Sequence, residues 1–164
     1  MSRRVRVLMV CTGNICRSPT AEGVLRHKLA QAGLADQVEV ESAGTVEYHA
    51  GSPPDHRAQQ SALRRGYDLS RQRARQLRAS DFERFDLLLA MDTEHLDRLV
   101  DMCPGPLVDR IKLLMDYSLT RSRGTSVPDP YYGAPAGFER VLDMVEEACD
   151  GLLTDLRARV ASAD

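Results

Sequence analysis

The chain has 164 residues, 28% of them Asp, Glu, Lys or Arg and 43% apolar, with a formal net charge of −2. That suits one domain with a sizeable core. It excludes a strongly basic nucleic-acid binder and a membrane-spanning chain, since no apolar run is long enough to cross a bilayer. Four cysteines do not make a disulfide scaffold at this length, and Met1-Ser2-Arg3-Arg4 leads straight into a strand-like run rather than a secretory leader. The expectation is a single domain over residues 1–164, cytoplasmic, with neither nucleic acid nor membrane as partner.

Val5 to Val10 is short, apolar and rich in β-branched residues, which predicts a buried first strand. From Thr20 onward apolar residues recur at helical spacing. The predicted helix runs from about Ser18 to Ala32, with Ser18 as its cap, Pro19 at the first helical position and Gly33 as its stop. Its buried stripe is Ala21, Val24, Leu25, Leu29 and Ala32.

Between strand and helix lies Val10-Cys11-Thr12-Gly13-Asn14-Ile15-Cys16-Arg17-Ser18-Pro19. Backbone N–H groups at a helix start are unpaired and the helix dipole favours an anion there. Gly13 lets the chain curl, Asn14 tolerates unusual dihedrals and can tie the loop, and Arg17 brings a planar fork that matches two phosphate oxygens. Cys11 at the base of such a ring is expected to be a thiolate, a nucleophile aimed at a bound phosphorus. A cysteine after a strand also serves as a small buried hydrophobe. The other three cysteines have Glu22, Asp109 and Asp155 where Cys11 has Arg17.

Further along, Val38 to Ser42 alternates as a second strand and Ser42-Ala43-Gly44-Thr45 reads as a turn. Thr45 to Gly51 is a loop holding Tyr48 and His49, the latter read as exposed. Ser52-Pro53-Pro54-Asp55 has capping-box spacing before a helix to about Arg65, and Ser80-Asp81-Phe82-Glu83 is a second capping box. Asp86 to Met91 is apolar on both faces, as in a parallel sheet, and Asp92 at its end suits a cap for a helix over Thr93–Val100 or a place beside a site. Val108 to Leu114 reads as a short fourth strand, Ser118 to Pro128 as a surface loop, and Ala136 to Ala161 as a long final helix with Cys149 in its buried stripe. Arg57, Arg64, Arg65, Arg71, Arg73, Arg75 and Arg78 form a basic run, read as a solvated face, with a docking surface for acidic phosphoproteins as the alternative. Strands alternating with helices imply an α/β fold with a parallel sheet and helices on both faces.

The loop, with Ser42-Ala43-Gly44-Thr45, Gly51-Ser52-Pro53-Pro54-Asp55, Ala74-Arg75-Gln76-Leu77, Met91-Asp92 and Asp129-Pro130-Tyr131-Tyr132-Gly133 in that order, resembles the low-molecular-weight protein tyrosine phosphatases. The resemblance covers nearly the whole chain. It implies a three-layer fold whose four-stranded parallel sheet has the order 2-1-3-4. It also implies hydrolysis of phosphotyrosine through a phosphocysteine, with Cys11 as nucleophile, Arg17 as phosphate clamp and Asp129 as general acid and then base. The backbone of Thr12, Gly13, Asn14, Ile15, Cys16, Arg17 and Ser18 would hold the phosphoryl oxygens, and Ser18 would also donate to the Cys11 sulfur. Tyr48, Tyr131 and Tyr132 would wall the cleft, and Ser42 would support Asn14. No metal or cofactor enters this chemistry. The implied partner is a tyrosine-phosphorylated protein, such as an autophosphorylating bacterial tyrosine kinase.

Ile15 stands where relatives acting on phosphoarginine carry a smaller polar residue, which favours phosphotyrosine. Cys16 has two readings, a redox partner for Cys11 or a packing thiol. Two rival functions share the loop: a thiol-linked arsenate reductase, which needs two more redox cysteines close together, and a phosphate-binding module without turnover.

Overall fold

β1 (Val5–Cys11) is the strand on which the sheet is built. In the computed structural model, which describes residues 4–120, 124–131, 133–134 and 136–162, it pairs in parallel with β2 (Val38–Gly44) and β3 (Leu87–Ala90). β4 (Ile111–Leu113) adds to the far side of β3, giving the order 2-1-3-4 expected from the resemblance. Val7, Leu8, Met9 and Val10 and all four residues of β3 are fully buried, because helices cover both faces.

The period of two along each strand sorts side chains between two cores. Val5, Val7, Met9 and Cys11 of β1 join Leu87 and Leu89 in the larger one, packed by α1 (Arg17–Gln31) and α5 (Ala136–Ser162). Leu8 and Val10 join Leu88 and Ala90 in the smaller one, with Phe82 from α3 (Asp81–Arg84) and Leu99 from α4 (Thr93–Met102). α2 (His56–Arg64) packs beside α5. Cys11 therefore ends its strand on the α1 side, under the start of that helix. Among the described residues no helix is long and apolar enough to cross a membrane.

The structure corrects several local expectations. Ser18 does not cap α1: Cys16 holds the N-cap position without a side-chain bond, and Ser18 lies inside the first turn with its hydroxyl engaged in the loop. Asp55, not Ser52, caps α2, accepting from the Arg57 amide at 2.8 Å. Ser80 makes no cap bond; the neighbouring Asp81 carboxylate takes the Arg78 amide and the Arg75 guanidinium instead. A carboxylate is the stronger acceptor, and where one stands beside a serine it takes the available donor.

The expected turn at Ser42–Gly44 continues β2, because Gly44 still pairs with Cys11. Val108-Asp109-Arg110 belong to a 3-10 turn over Gly105–Arg110 that carries Pro106 near its start, and only three residues reach the short edge of β3. Val127, in the expected surface loop, is fully buried and donates its N–H to the Met91 carbonyl at 2.7 Å. The basic run is not uniformly solvated: Arg65 pairs with Glu139 and Asp143 of α5, Arg75 with Asp81, and Arg57 with Asp55.

Candidate active site

Most carbonyls of the loop from β1 to α1 are claimed by neighbouring amides. The Cys11, Thr12, Ile15 and Cys16 carbonyls accept from Thr45, Val46, Asp55 and Thr20, all at 3.3 Å or less. None of the Gly13–Cys16 amides donates to a backbone carbonyl of the described residues. Asn14 takes φ +59°, the left-handed turn that reverses the chain. Carbonyls claimed by their neighbours and amides left unclaimed, at a helix N-terminus, are an arrangement that can take an anion.

A buried hydrogen-bond chain supports this loop, and its donors can be oriented by elimination. The Arg75 amide donates to Asn14 Oδ1 at 3.0 Å, which fixes the Asn14 side chain. Asn14 Nδ2 donates to Ser18 Oγ at 2.9 Å and to Ser42 Oγ at 2.8 Å, the latter the contact expected between Ser42 and Asn14. The Ser42 hydroxyl donates on to Glu22 Oε1 at 2.8 Å. The Ser18 proton is left for Cys11 Sγ, 2.9 Å away. Burial pushes the Glu22 carboxyl above its ordinary range, against the bonds from Ser42 and Arg26.

Arg17 is 5% exposed and is held from behind. It donates to Asp92 Oδ2 at 2.7 Å and to the Val127 carbonyl at 3.1 Å. The other Asp92 oxygen caps α4, accepting from the His95 amide at 2.8 Å, so both roles open to Asp92 in the sequence are filled at once. Burial acts to raise the Asp92 carboxyl, but the His95 amide and Arg17 together hold it below the usual carboxylate range. His95 is buried with Nε2 2.7 Å from Thr12 Oγ1 and 3.5 Å from an Arg17 nitrogen. Arg17 can only donate, so Nε2 accepts and the ring proton sits on Nδ1, 3.1 Å from Asp92 Oδ1 in a contact too bent for a hydrogen bond. Burial first, then the Arg17 charge, lowers His95 to about 4.

Asp129 approaches the other terminal nitrogen of Arg17, its Oδ2 3.7 Å away and its side chain half exposed. The Tyr131 amide donates to Asp129 Oδ1 at 3.0 Å. A cleft of about 400 Å³ opens over the loop, lined by Cys11, Thr12, Gly13, Ile15, Cys16, Arg17, Tyr48, Asp129 and Tyr131, with Val46 and His49.

A family model described as low molecular weight phosphotyrosine protein phosphatase matches residues 6–162. The chain belongs to this family. A low molecular weight protein-tyrosine-phosphatase of Streptomyces coelicolor is 45% identical over 157 residues, 94% of this chain and 95% of that one. The crystal structure of a protein tyrosine phosphatase from Entamoeba histolytica, with Hepes in its active site, superposes with a TM-score of 0.90 at 39% identity, covering 94% of this chain and 97% of that one. Wzb of Vibrio vulnificus, solved with benzylphosphonate, superposes with a TM-score of 0.80 at 27% identity, covering 93% and 99%.

In this low molecular weight phosphatase the site residues named from the sequence fall into two groups. Nine line the cleft, whereas Asn14 and Ser18 lie behind the loop in the hydrogen-bond chain. Tyr132 lies outside the described residues. His49, expected to be merely exposed, packs edge-on against Tyr48 with ring centroids 4.7 Å apart and stands 6.4 Å from the Tyr131 ring. Sequence reasoning missed His95 and Arg57 as site residues. The capping spacing of Asp92 points to the backbone of His95, and nothing local marks its ring. Cys16 is buried in a small cluster with Ala58 and Phe138, and burial raises its thiol well above the ordinary range. Cys149 is fully buried in the main core and is pushed up to about 12 by burial, while Cys103, just past the end of α4, is partly buried against the other core. These two do not form the neighbouring redox pair that an arsenate reductase requires.

Proposed function

We propose that this phosphatase hydrolyses phosphotyrosine monoesters in proteins through a phosphocysteine on Cys11. The observation that carries the reading is the single cleft onto which Cys11, Arg17 and Asp129 all open, with Ser18 2.9 Å behind the sulfur. In the first step Cys11 Sγ attacks phosphorus, the bond from phosphorus to the phenolic oxygen breaks, and Asp129 hands its proton to that oxygen. Arg17 and the amides of the loop take the charge spread over the three equatorial oxygens. In the second step Asp129 removes a proton from water, the water oxygen bonds to phosphorus, and the sulfur leaves as a thiolate stabilised by the Ser18 hydroxyl. Free phosphate departs and both groups return to their starting states. Each proton and electron pair is supplied by a side chain or by water, so the cycle runs without a metal or cofactor.

The substrate class follows from the walls. Tyr48 and Tyr131 offer ring faces and edges to a phenyl group, and benzylphosphonate, which Wzb binds, has the same ring-and-anion shape. A phosphoserine methylene has no ring to stack. The match over residues 6–162 supports reading the whole chain, 1–164, as one catalytic domain. A thiolate nucleophile functions in a reducing compartment, which supports the cytoplasm as its location. An autophosphorylating bacterial tyrosine kinase is the partner we would test first.

The test is rapid-quench kinetics with p-nitrophenyl phosphate. A burst of p-nitrophenol, inhibition by vanadate, insensitivity to chelators, and a cysteine-linked phosphate found by mass spectrometry are expected. Cys11→Ser should still bind phosphate and give no burst. Turnover by Cys11→Ser, or a phosphate found on a residue other than Cys11, would reject the mechanism.

A further inference from the structure

Arg57 stands outside the chemistry described above, at the start of α2, yet its guanidinium joins three separate segments. It grips the Asp55 carboxylate with two nitrogens, at 3.2 and 3.1 Å. The Asp55 amide in turn donates to the Ile15 carbonyl at 2.7 Å, which ties this end of α2 to the phosphate loop. The same guanidinium donates to the Tyr131 carbonyl at 2.9 Å. Its central carbon lies 4.8 Å from the Phe138 ring centroid and 5.5 Å from that of Tyr131, so one cation bridges a ring of α5 and a ring of the cleft wall.

The Tyr131 residue is thus held at both ends. Its carbonyl is fixed by Arg57, and its amide is the group that donates to Asp129 Oδ1. We infer that Arg57 is a positioning residue for Asp129: it anchors the Asp129–Tyr131 segment to the phosphate loop, so that the carboxyl is aimed at the leaving-group oxygen. This rests on the reading of Asp129 as the acid. Such an anchor acts through geometry more than stability. Arg57 is 42% exposed, and ion pairs at that exposure contribute little to folding. A two-nitrogen grip combined with ring contact still defines one orientation, which a lysine cannot copy.

The experiment measures kcat/KM across aryl phosphates from phenyl to p-nitrophenyl for the wild type, R57A, R57K, D129A and R57A/D129A. Circular dichroism melts and inorganic phosphate affinity serve as controls for the fold and the loop. R57A is expected to lose roughly tenfold on phenyl phosphate and under about twofold on p-nitrophenyl phosphate, a fraction of the whole acid contribution of roughly a hundredfold or more. R57K should recover only part of the loss, and R57A in the D129A background should cost about nothing further. Equal losses along the series, or full additivity with D129A, would overturn the inference and leave Arg57 a structural residue. If R57A melts early, the R57K series decides by the same criterion. A D129A enzyme with no dependence on the leaving group would instead remove Asp129 as the acid, and the role of Arg57 with it.

Discussion

Arg17 and Asp92 are joined by a 2.7 Å hydrogen bond behind the cleft, with Arg17 almost wholly buried. The bond orients the guanidinium toward the space above Cys11, and Asp92 is rigid because its second oxygen caps α4. Asp92→Ala removes both anchors and leaves a buried cation without its charge partner. Urea unfolding should register a loss of roughly 3 kcal/mol, and the KM for aryl phosphates should rise. Asp92→Asn keeps a cap and should lose less stability while still weakening phosphate affinity.

His95 makes the site sensitive to acid. Its ordinary value is 6.5 and burial beside Arg17 lowers it to about 4, so between these values the unfolded chain binds more protons than the folded one. Stability should therefore fall as pH drops from about 6.5 toward 4. The full span is worth about 3 kcal/mol. Asp92 and Asp129 oppose this in part by favouring the charged ring. Urea midpoints measured from pH 7 to pH 4 should decline less steeply in His95→Asn than in the wild type.

Two glycines should respond differently to an added methyl. A Cβ on Gly44 would stand 2.6 Å from the Thr12 carbonyl oxygen and 3.1 Å from the Asn14 nitrogen, both backbone of the phosphate loop. A Cβ on Gly151 would overlap the Tyr117 carbonyl and approach its carbon to 2.9 Å, and neither residue lines the cleft. Gly44→Ala should therefore depress kcat well beyond its effect on melting. Gly151→Ala should lower the melting temperature by several degrees, for a cost of about 1–3 kcal/mol, with near-normal kinetics in the folded fraction.

Tyr48 is 86% exposed and meets the His49 ring nearly at right angles, so most of its ring surface is open to substrate. Tyr48→Ala should raise KM for aryl phosphates roughly threefold to tenfold, the worth of one aromatic contact. It should leave the KM of a small alkyl phosphate nearly unchanged. Steady-state comparison of phenyl phosphate with glycerol phosphate checks this directly.

Residues whose surroundings are close in the chain are legible from spacing and residue type. Val5 to Val10, the apolar run ending at Met91 and the stripe through Phe138, Val145 and Leu152 all declare their element this way. The strand–loop–helix passage around Cys11 and Arg17 declares an anion site, because helix-terminal amides are a local property. Competition among nearby acceptors is not legible. Ser18, Ser52 and Ser80 each look like caps, but folding gives Ser18 to the loop and the other donors to Asp55 and Asp81.

Local sequence carries the parallel α/β class and the position of the thiol and the guanidinium, since periodicity, turn chemistry and residue type depend on chain neighbours, whereas the late Asp-Pro-Tyr segment stands out through the family resemblance. Long-range packing alone sets Asp92 behind Arg17, brings His95 to Thr12, closes with Glu22 the chain leading to the Cys11 sulfur, and joins Tyr131 to the phosphate loop through Arg57. Arg17 is 75 residues from Asp92, and Arg57 is 74 from Tyr131. The first contact forms only when the sheet order brings the carboxyl ends of β1 and β3 together, the second only when α2 packs beside α5, and no local preference encodes either meeting.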